Sequence, residues 1–496
     1  MKGQVIIIGS GIAGLATAVR LAVAGYQVKV FEANAYPGGK LSNITLNGYR
    51  FDAGPSLFTL PEQVNELFTL AGKNPDECFE YIRVNTSGHY FYEDGTVFHA
   101  YANREKLAKE LQEKLGLSNP KPFFDYLDKA KRKYVLMAPI FIERSLHRVK
   151  NYLNTATIKG IANVFRLDIN RSMHQANKQV FSDKRLVQYF NRFATYNGSS
   201  PYKASGILTM ITHLEHNVGT FFPKNGMHQI TQSIYQLAVE LGVHFYLNTP
   251  VESIVTRKTG KVKQATGVMA QGKEHHADII VSNADVYTTY HRLLPEETKP
   301  ERILNQEKSS SALIFYWGIN TAFPQLDLHN ILFSRDYYTE FEHITNEKFI
   351  YYDPTIYINI TSKYKPDDAP PGGENWFVMI NVPNNSGQNW DQLITEARKN
   401  IIKKINRVLQ TDLSNHIVCE EILDPRSIES KTASHLGALY GNASNNNYAA
   451  FMRHANFSKQ IKGLYFCGGS VHPGGGIPLC LNSAKIVSQL VQENHG

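Results

Sequence analysis

Residues 5–40 read VIIIGSGIAGLATAVRLAVAGYQVKVFEANAYPGGK. Val5 to Ile8 is a short apolar run, the length of a buried parallel strand. Gly9, Gly11 and Gly14 follow at G-x-G-x-x-G spacing. A helix is predicted from Ile12 to about Ala24, with Leu15, Val19 and Ala22 on one face and Gly25 as its stop. Val28 to Phe31 reads as a second buried strand, ended by Glu32. In this arrangement Gly9 makes the tight turn and Gly11 lets backbone approach a pyrophosphate. Gly14 lets helix and strand pack closely, and the helix N-terminus offers free N–H groups to phosphate. Glu32 is placed to accept from ribose hydroxyls, which argues against a 2′-phosphate. The motif alone leaves NAD and FAD open.

The chain has 496 residues, 42% hydrophobic and 19% charged, enough for two or three domains and a large core. Its net charge of +8 comes from dispersed Lys and Arg with no nucleic-acid-binding signature, so nucleic acid is not an expected partner. The N-terminal apolar run is broken by glycines and is itself the nucleotide strand, not a leader. No segment approaches the roughly 18 apolar residues that span a bilayer. Cys78, Cys419, Cys467 and Cys480 are scattered, which reads as a reduced, intracellular chain. His213 and His216 stand on one helix face without a third ligand, so no metal is expected.

Beyond the opening, Pro37-Gly38-Gly39-Lys40 again permits close backbone approach to a flat ligand, with a cation near the phosphates. Phe51 to Pro61, FDAGPSLFTLP, is a strand broken at Gly54-Pro55. With these residues the chain resembles the FAD-dependent carotenoid desaturases, the bacterial phytoene desaturase family within the glutathione-reductase/amine-oxidase-like flavoproteins. Two later stretches extend the resemblance. One is Phe221 to Met227, FFPKNGM, similar to the family's W-F-P-x-G-G. The other is Gly463 to Pro478, GLYFCGGSVHPGGGIP, followed by Ser483. The latter departs from the family pattern at Val471 and Gly475, where other small residues are usual.

The resemblance covers essentially the whole chain. It implies an α/β fold: a Rossmann-type FAD-binding domain with an α+β substrate domain and a helical membrane-facing insertion. The expected division is 1–58, 219–295 and 435–496 for the FAD domain, 59–218 for the insertion and 296–434 for an antiparallel sheet carrying the helix Trp390 to Leu409. FAD is then held at Gly9, Gly11, Ile12, Ala13 and Gly14, at Glu32 and Ala33, and at Gly39 and Lys40. Gly54, Pro55, Ser56 and Leu57 run beside the flavin, and Val251 places its backbone on the adenine. Asn283, Leu436, Gly469 and Ser470 complete the expected site. Gly476, Ile477, Pro478 and Leu479 start a helix aimed at the flavin.

The implied reaction removes two hydrogens from a carotenoid, as 3,4-desaturation of a 1-hydroxycarotenoid. Phytoene-type desaturation, redox-neutral isomerisation and a carotenoid-binding role with a vestigial flavin site stay open. Oxygen or a quinone is the expected electron acceptor. Tyr134 to Ile142, YVLMAPIFI, followed by Arg144, His147, Arg148 and Lys150, suits a monotopic contact with anionic lipid. The chain is therefore expected in the cytoplasm, peripherally associated with the inner face of the cell membrane. By the resemblance, proton handling falls within Glu143 to Arg148, ERSLHR; Ser145 stands where an Asp is expected, and Arg144 and Arg148 are the catalytic candidates.

Overall fold

The structure is a computed structural model and describes residues 2–148, 151, 167–446 and 449–495. Strand β1 (Gln4–Ile8), helix α1 (Ile12–Val23) and strand β2 (Gln27–Phe31) form at the expected positions. They belong to a five-stranded parallel sheet ordered Leu464–Phe466, Ile279–Ser282, β1, β2, His244–Tyr246. Strands from three distant parts of the chain thus close around the first one.

The apolar run of β1 is buried on both faces, and its period of two divides it. Val5 and Ile7 pack toward helices, in a core shared with α1, His228–Glu240 and the C-terminal helix Ile477–His495. Ile6 and Ile8 face the other way, into a core with Val251, Ile254 and Val268 from an antiparallel meander. The meander, Val251–Thr259, Val262–Ala270 and Lys273–His276, has its first turn at Gly260. Helix His228–Glu240 has no cap from its own Met227. Its free N–H groups are taken instead by Asp52, whose carboxylate accepts from Met227 N at 2.8 Å and His228 N at 2.9 Å.

A second, seven-stranded sheet runs Ile417–Leu423, Ser311–Ile319, Glu374–Val382, Ile356–Ile360, His329–Leu332, Thr86–Phe91, Val97–Tyr101. The continuous apolar run of Ser311–Ile319 is again two faces interleaved. Leu313, Phe315 and Trp317 pack with residues of the helix Trp390–Leu409, while Ala312, Ile314 and Tyr316 form the opposite face.

Two expectations are corrected here. Residues 59–218 are not a purely helical insertion. Thr86–Phe91 and Val97–Tyr101 complete the second sheet, and Tyr81–Arg83 pairs with Phe221–Pro223. Nor is that sheet antiparallel throughout, because His329–Leu332 and Thr86–Phe91 run parallel. The reason is long-range pairing that local periodicity does not register. Helices Arg104–Leu115, Lys121–Phe141 and Lys184–Asn191 do form, with Leu107, Leu111 and Leu115 all buried. Lys150 lies outside the described residues.

Candidate flavin and substrate cavity

A cavity of about 1050 Å³ lies between the parallel sheet and the second sheet. One end is lined by Gly9, Gly11, Ile12 and Ala13 from the turn between β1 and α1. Helix α1 carries no side-chain cap, so its first-turn N–H groups stand free at this wall. Gly14 lies beneath, where a Cβ would come within 2.3 Å of the Gly9 carbonyl and 2.9 Å of Asn283 Oδ1. Its role is the close helix–strand packing predicted for it. The second glycine turn packs on the first: Gly38 N–H donates to Ser10 O at 2.9 Å.

Glu32 and Ala33 also line this end. Glu32 is 5% exposed, and each of its oxygens accepts two hydrogen bonds. Oε2 accepts from Ser10 N and Oγ, both at 2.7 Å; Oε1 accepts from Asn34 N and Nδ2, both at 2.9 Å. The two backbone donors are fixed, but the Ser10 hydroxyl and the Asn34 amide can rotate to release acceptor sites to a ribose. Val251 is brought beside Glu32 by Thr249 N–H, which donates to Glu32 O at 2.8 Å.

Lys40 lines the cavity, and its ammonium is engaged by the chain itself. Its ammonium donates to the carbonyls of Ala438 (3.1 Å) and Leu439 (2.9 Å), and burial pushes its pKa down. It thereby ties the glycine turn to a return segment nearly four hundred residues away. Lys40→Met leaves both carbonyls without their donor. It is expected to lower the free energy of unfolding by roughly 2 kcal/mol, read as a lower urea midpoint at unchanged slope. An unchanged midpoint would mean that the tie contributes nothing.

Gly54, Pro55, Ser56 and Leu57 line the cavity, as do Gly469, Ser470, Gly476, Ile477, Pro478 and Leu479. Asn283 joins these parts. Its N–H donates to Ile8 O at 2.8 Å and its amide to Cys467 O at 3.3 Å. Ser470 Oγ accepts from Val286 N–H at 2.9 Å. The departures from the family pattern have local causes. A Cβ at Gly475 would fall 2.8 Å from Tyr440 Cα, so glycine makes room for that tyrosine. Val471 is 1% exposed and packs into the meander core, not the cavity.

Three predicted site residues lie elsewhere. Leu436 does not line the cavity; its N–H donates to Glu429 Oε1 at 3.0 Å. The side chain of Arg144 is exposed, and its carbonyl accepts from His472 Nε2 at 2.8 Å. Arg148 is paired with Glu493 and donates to Asn494 Oδ1 at 2.9 Å, at the far end of the C-terminal helix. Neither arginine lines the cavity. For Arg148 the reason is its pairing with the end of the C-terminal helix, distant in sequence.

The sequence reading missed residues that hold the glycine-rich loop. Arg453, 1% exposed, donates to Tyr440 O at 3.0 Å and to Asn197 Oδ1 at 3.3 Å. Asn456 donates to His472 O at 2.7 Å and to Ser483 Oγ at 3.1 Å. Beyond the flavin side, the cavity continues between the second sheet and the helices. It is walled there by Ile314, Tyr316, Ile331, Phe377 and Met379, with Tyr134 and Ile142 from helix Lys121–Phe141 and the residue after it. The glycine cradle, the uncapped helix and the acid at the strand end fit a dinucleotide, and the adjoining apolar volume fits a hydrophobic partner for it.

The family model for flavin containing amine oxidoreductases matches residues 12–492. The chain is 53% identical over 488 residues to the 1-hydroxycarotenoid 3,4-desaturase of Flavobacterium sp. (strain P99-3), covering 98% of this chain and 99% of that one. It is 30% identical to the phytoene desaturase of Fusarium fujikuroi, over 100% of this chain and 90% of the relative. Among solved structures it resembles cyclohexylamine oxidase from Brevibacterium oxydans IH-35A. The TM-score is 0.62 at 15% identity, over 100% of this chain and 99% of that one, which is a likeness of fold. By these matches, and with the glycine cradle to hold FAD, the chain belongs to the flavin containing amine oxidoreductase family, in its carotenoid desaturase branch.

Proposed function

We propose that this enzyme dehydrogenates a long apolar carotenoid, and that the step is 3,4-desaturation of a 1-hydroxycarotenoid. The observation that carries the reading is one cavity of about 1050 Å³, continuous from the glycine cradle to the apolar walls of the second sheet. When bound, FAD supplies the hydride acceptor for the dehydrogenation. The chain's own residues bind, orient and dehydrate. Ile314, Ile331, Phe377 and Met379 exclude water along the substrate path, and the Gly54–Leu57 segment lines the same cavity as the cradle. The start of helix Ile477–His495 presents backbone N–H groups and a positive dipole end where charge accumulates on a reduced cofactor.

A membrane contact is part of the proposal. No helix of the described residues is long and apolar enough to cross a bilayer. Helix Lys121–Phe141 nonetheless exposes Val135 (58%) and Leu136 (36%), next to Tyr134, which lines the cavity. Met452 is 44% exposed, and nearby Phe141 and Phe451 meet at 4.8 Å between ring centroids. These residues support shallow insertion into the inner face of the cell membrane from the cytoplasm, with the substrate drawn from lipid. Oxygen or a quinone is the proposed terminal electron acceptor.

The test is expression in cells that make defined carotenoids, with pigments separated by chromatography. A gain of one conjugated double bond in a 1-hydroxycarotenoid is the expected result. Conversion of colourless phytoene instead would replace it with phytoene-type desaturation. A shift in double-bond geometry without net oxidation would indicate isomerisation. No change in any pigment would leave only binding.

A further inference from the structure

Away from the glycine cradle, one wall of the cavity is a hydrogen-bonded polar group. There it is lined by His329, Tyr357, Arg192, Tyr196 and Ser56. Behind this wall lies Glu215, with 1% side-chain exposure. Its carboxylate accepts from Arg192 Nη2 at 3.2 and 3.3 Å and from the Tyr196 hydroxyl at 2.6 Å. The guanidinium also sits near the rings of Tyr90, Phe193 and Tyr196, at 5.2, 4.8 and 5.1 Å. A buried ion pair is costly to desolvate, and a path for a plain hydrocarbon has no use for one.

The wall also holds polar atoms with spare capacity. Among the described residues nothing bonds Arg192 Nε or His329 Nε2, and both are buried. His329 is 2% exposed. Burial pushes its pKa down to about 4, so the ring is neutral at pH 7. Its Nδ1 lies 3.2 Å from the Asn359 amide nitrogen, which also donates to Leu328 O at 2.8 Å. An amide nitrogen only donates, so Nδ1 is the lone-pair nitrogen and the proton sits on Nε2. The Tyr357 hydroxyl meets Nδ1 at 2.7 Å and Ser56 Oγ at 2.8 Å. His329 is therefore a fixed, unpaired N–H donor, two hydrogen bonds from the Gly54–Leu57 segment of the flavin side. An unmet buried donor is destabilising, a cost that an incoming acceptor relieves.

We propose that this wall is a hydroxyl-binding subsite, in which His329 donates to the oxygen of an alcohol carried near one end of an otherwise apolar polyene. Arg192 and Glu215 form its polar backing, and Tyr357 and Asn359 fix the tautomer. The inference rests on the function proposed above and adds the residue that selects the substrate. Its position agrees with the chemistry. In a 1-hydroxy substrate a single carbon separates the hydroxyl-bearing carbon from the C3–C4 bond. The polar anchor must therefore lie close to the reacting end, as His329 does to Ser56, and not at the far end of a tunnel.

The test compares kcat/KM of the FAD-loaded enzyme in liposomes for a 1-hydroxycarotenoid and for the same skeleton with hydrogen in place of the hydroxyl. The wild type is expected to prefer the alcohol by about tenfold or more, the value of one hydrogen bond. In His329→Phe that preference collapses toward one, and in His329→Gln, which keeps an N–H donor, it recovers in part. An unaltered preference in His329→Phe, or a wild type indifferent to the hydroxyl, overturns the subsite while leaving desaturation standing. A wild type that converts neither compound overturns the functional reading and the subsite with it. Should His329→Phe not retain FAD, Tyr357→Phe is used, since it loosens the imidazole. There the preference falls a few-fold, chiefly through KM, and an unchanged preference overturns the assignment.

Discussion

Gly54→Ala is expected to give protein from which flavin no longer co-elutes on gel filtration. The backbone at Gly54 is not in the left-handed region, so alanine meets no conformational penalty there. The obstacle is space. An added Cβ would stand 1.7 Å from the carbonyl oxygen of Lys40 and 2.8 Å from its carbonyl carbon. Neither is the tip of a flexible side chain. Both belong to the turn in which Gly38 is anchored on Ser10 O and Lys40 on the carbonyls of Ala438 and Leu439. Ala53 N–H donates to Ser42 O at 2.8 Å, so the two segments cannot part without losing that bond. Overpacking a tight core typically is destabilising by about 1–3 kcal/mol, and a clash with anchored backbone belongs at the upper end. The strain falls between the cradle and the Gly54–Leu57 wall, so cofactor binding fails before global folding does. Stoichiometric flavin in the purified variant would show that the two segments separate more easily than their hydrogen bonds indicate.

The same segment shows what a sequence can disclose. The residues of the cradle are legible because backbone geometry itself selects them. A tight turn, a close approach and a helix start each demand glycine or proline at a fixed spacing, and few other arrangements use that set. The run Ser311–Ile319 is legible as a strand, yet its division into helix-facing and cavity-facing residues appears only once both neighbours are in place. The hairpin Thr86–Phe91 to Val97–Tyr101 carried a signal, Asp94-Gly95 between alternating aromatics, that a helical reading of the region passes over. Its partner strand starts at His329, more than two hundred residues on, and nothing local points there. Arg148 reads as a free cation beside an apolar run because Glu493 is 345 residues away. The polar wall of Arg192, Glu215 and His329 is illegible for the same reason. Its members share no motif, and only the packing of helices on the second sheet brings them to one surface.

Acidification from pH 6.5 to pH 4 is expected to unfold the protein and release its flavin together. His216, His329, His454 and His472 are all buried, and burial pushes each imidazole down to about 4 from an ordinary value of 6.5. In the unfolded chain each binds its proton near pH 6.5, so between 6.5 and 4 the unfolded state holds more protons than the folded one. Stability therefore rises with pH across that window: this contribution is complete above 6.5 and is lost as pH falls toward 4. A depression of that size corresponds to roughly 3 kcal/mol per group, and four such groups reach the order of the 5–15 kcal/mol that holds a typical domain together. Urea midpoints measured at half-unit steps should fall steeply below pH 6.5. A level profile to pH 4.5 would mean that these rings take up protons in place. Flavin is lost in the same window because His472 sits in the loop that closes the cofactor wall and His454 lies behind it, its carbonyl accepting from His472 N–H at 3.0 Å. His472 Nε2 donates to Arg144 O, and the His472 carbonyl accepts from Asn456 and Ser483, the residues that pin the turn at Gly468. His454 is held between Tyr290 and Ala455 O in the strand-side core. Charging either ring breaks the dry packing behind Gly468 to Gly476, so release of the cofactor and loss of the fold share one titration.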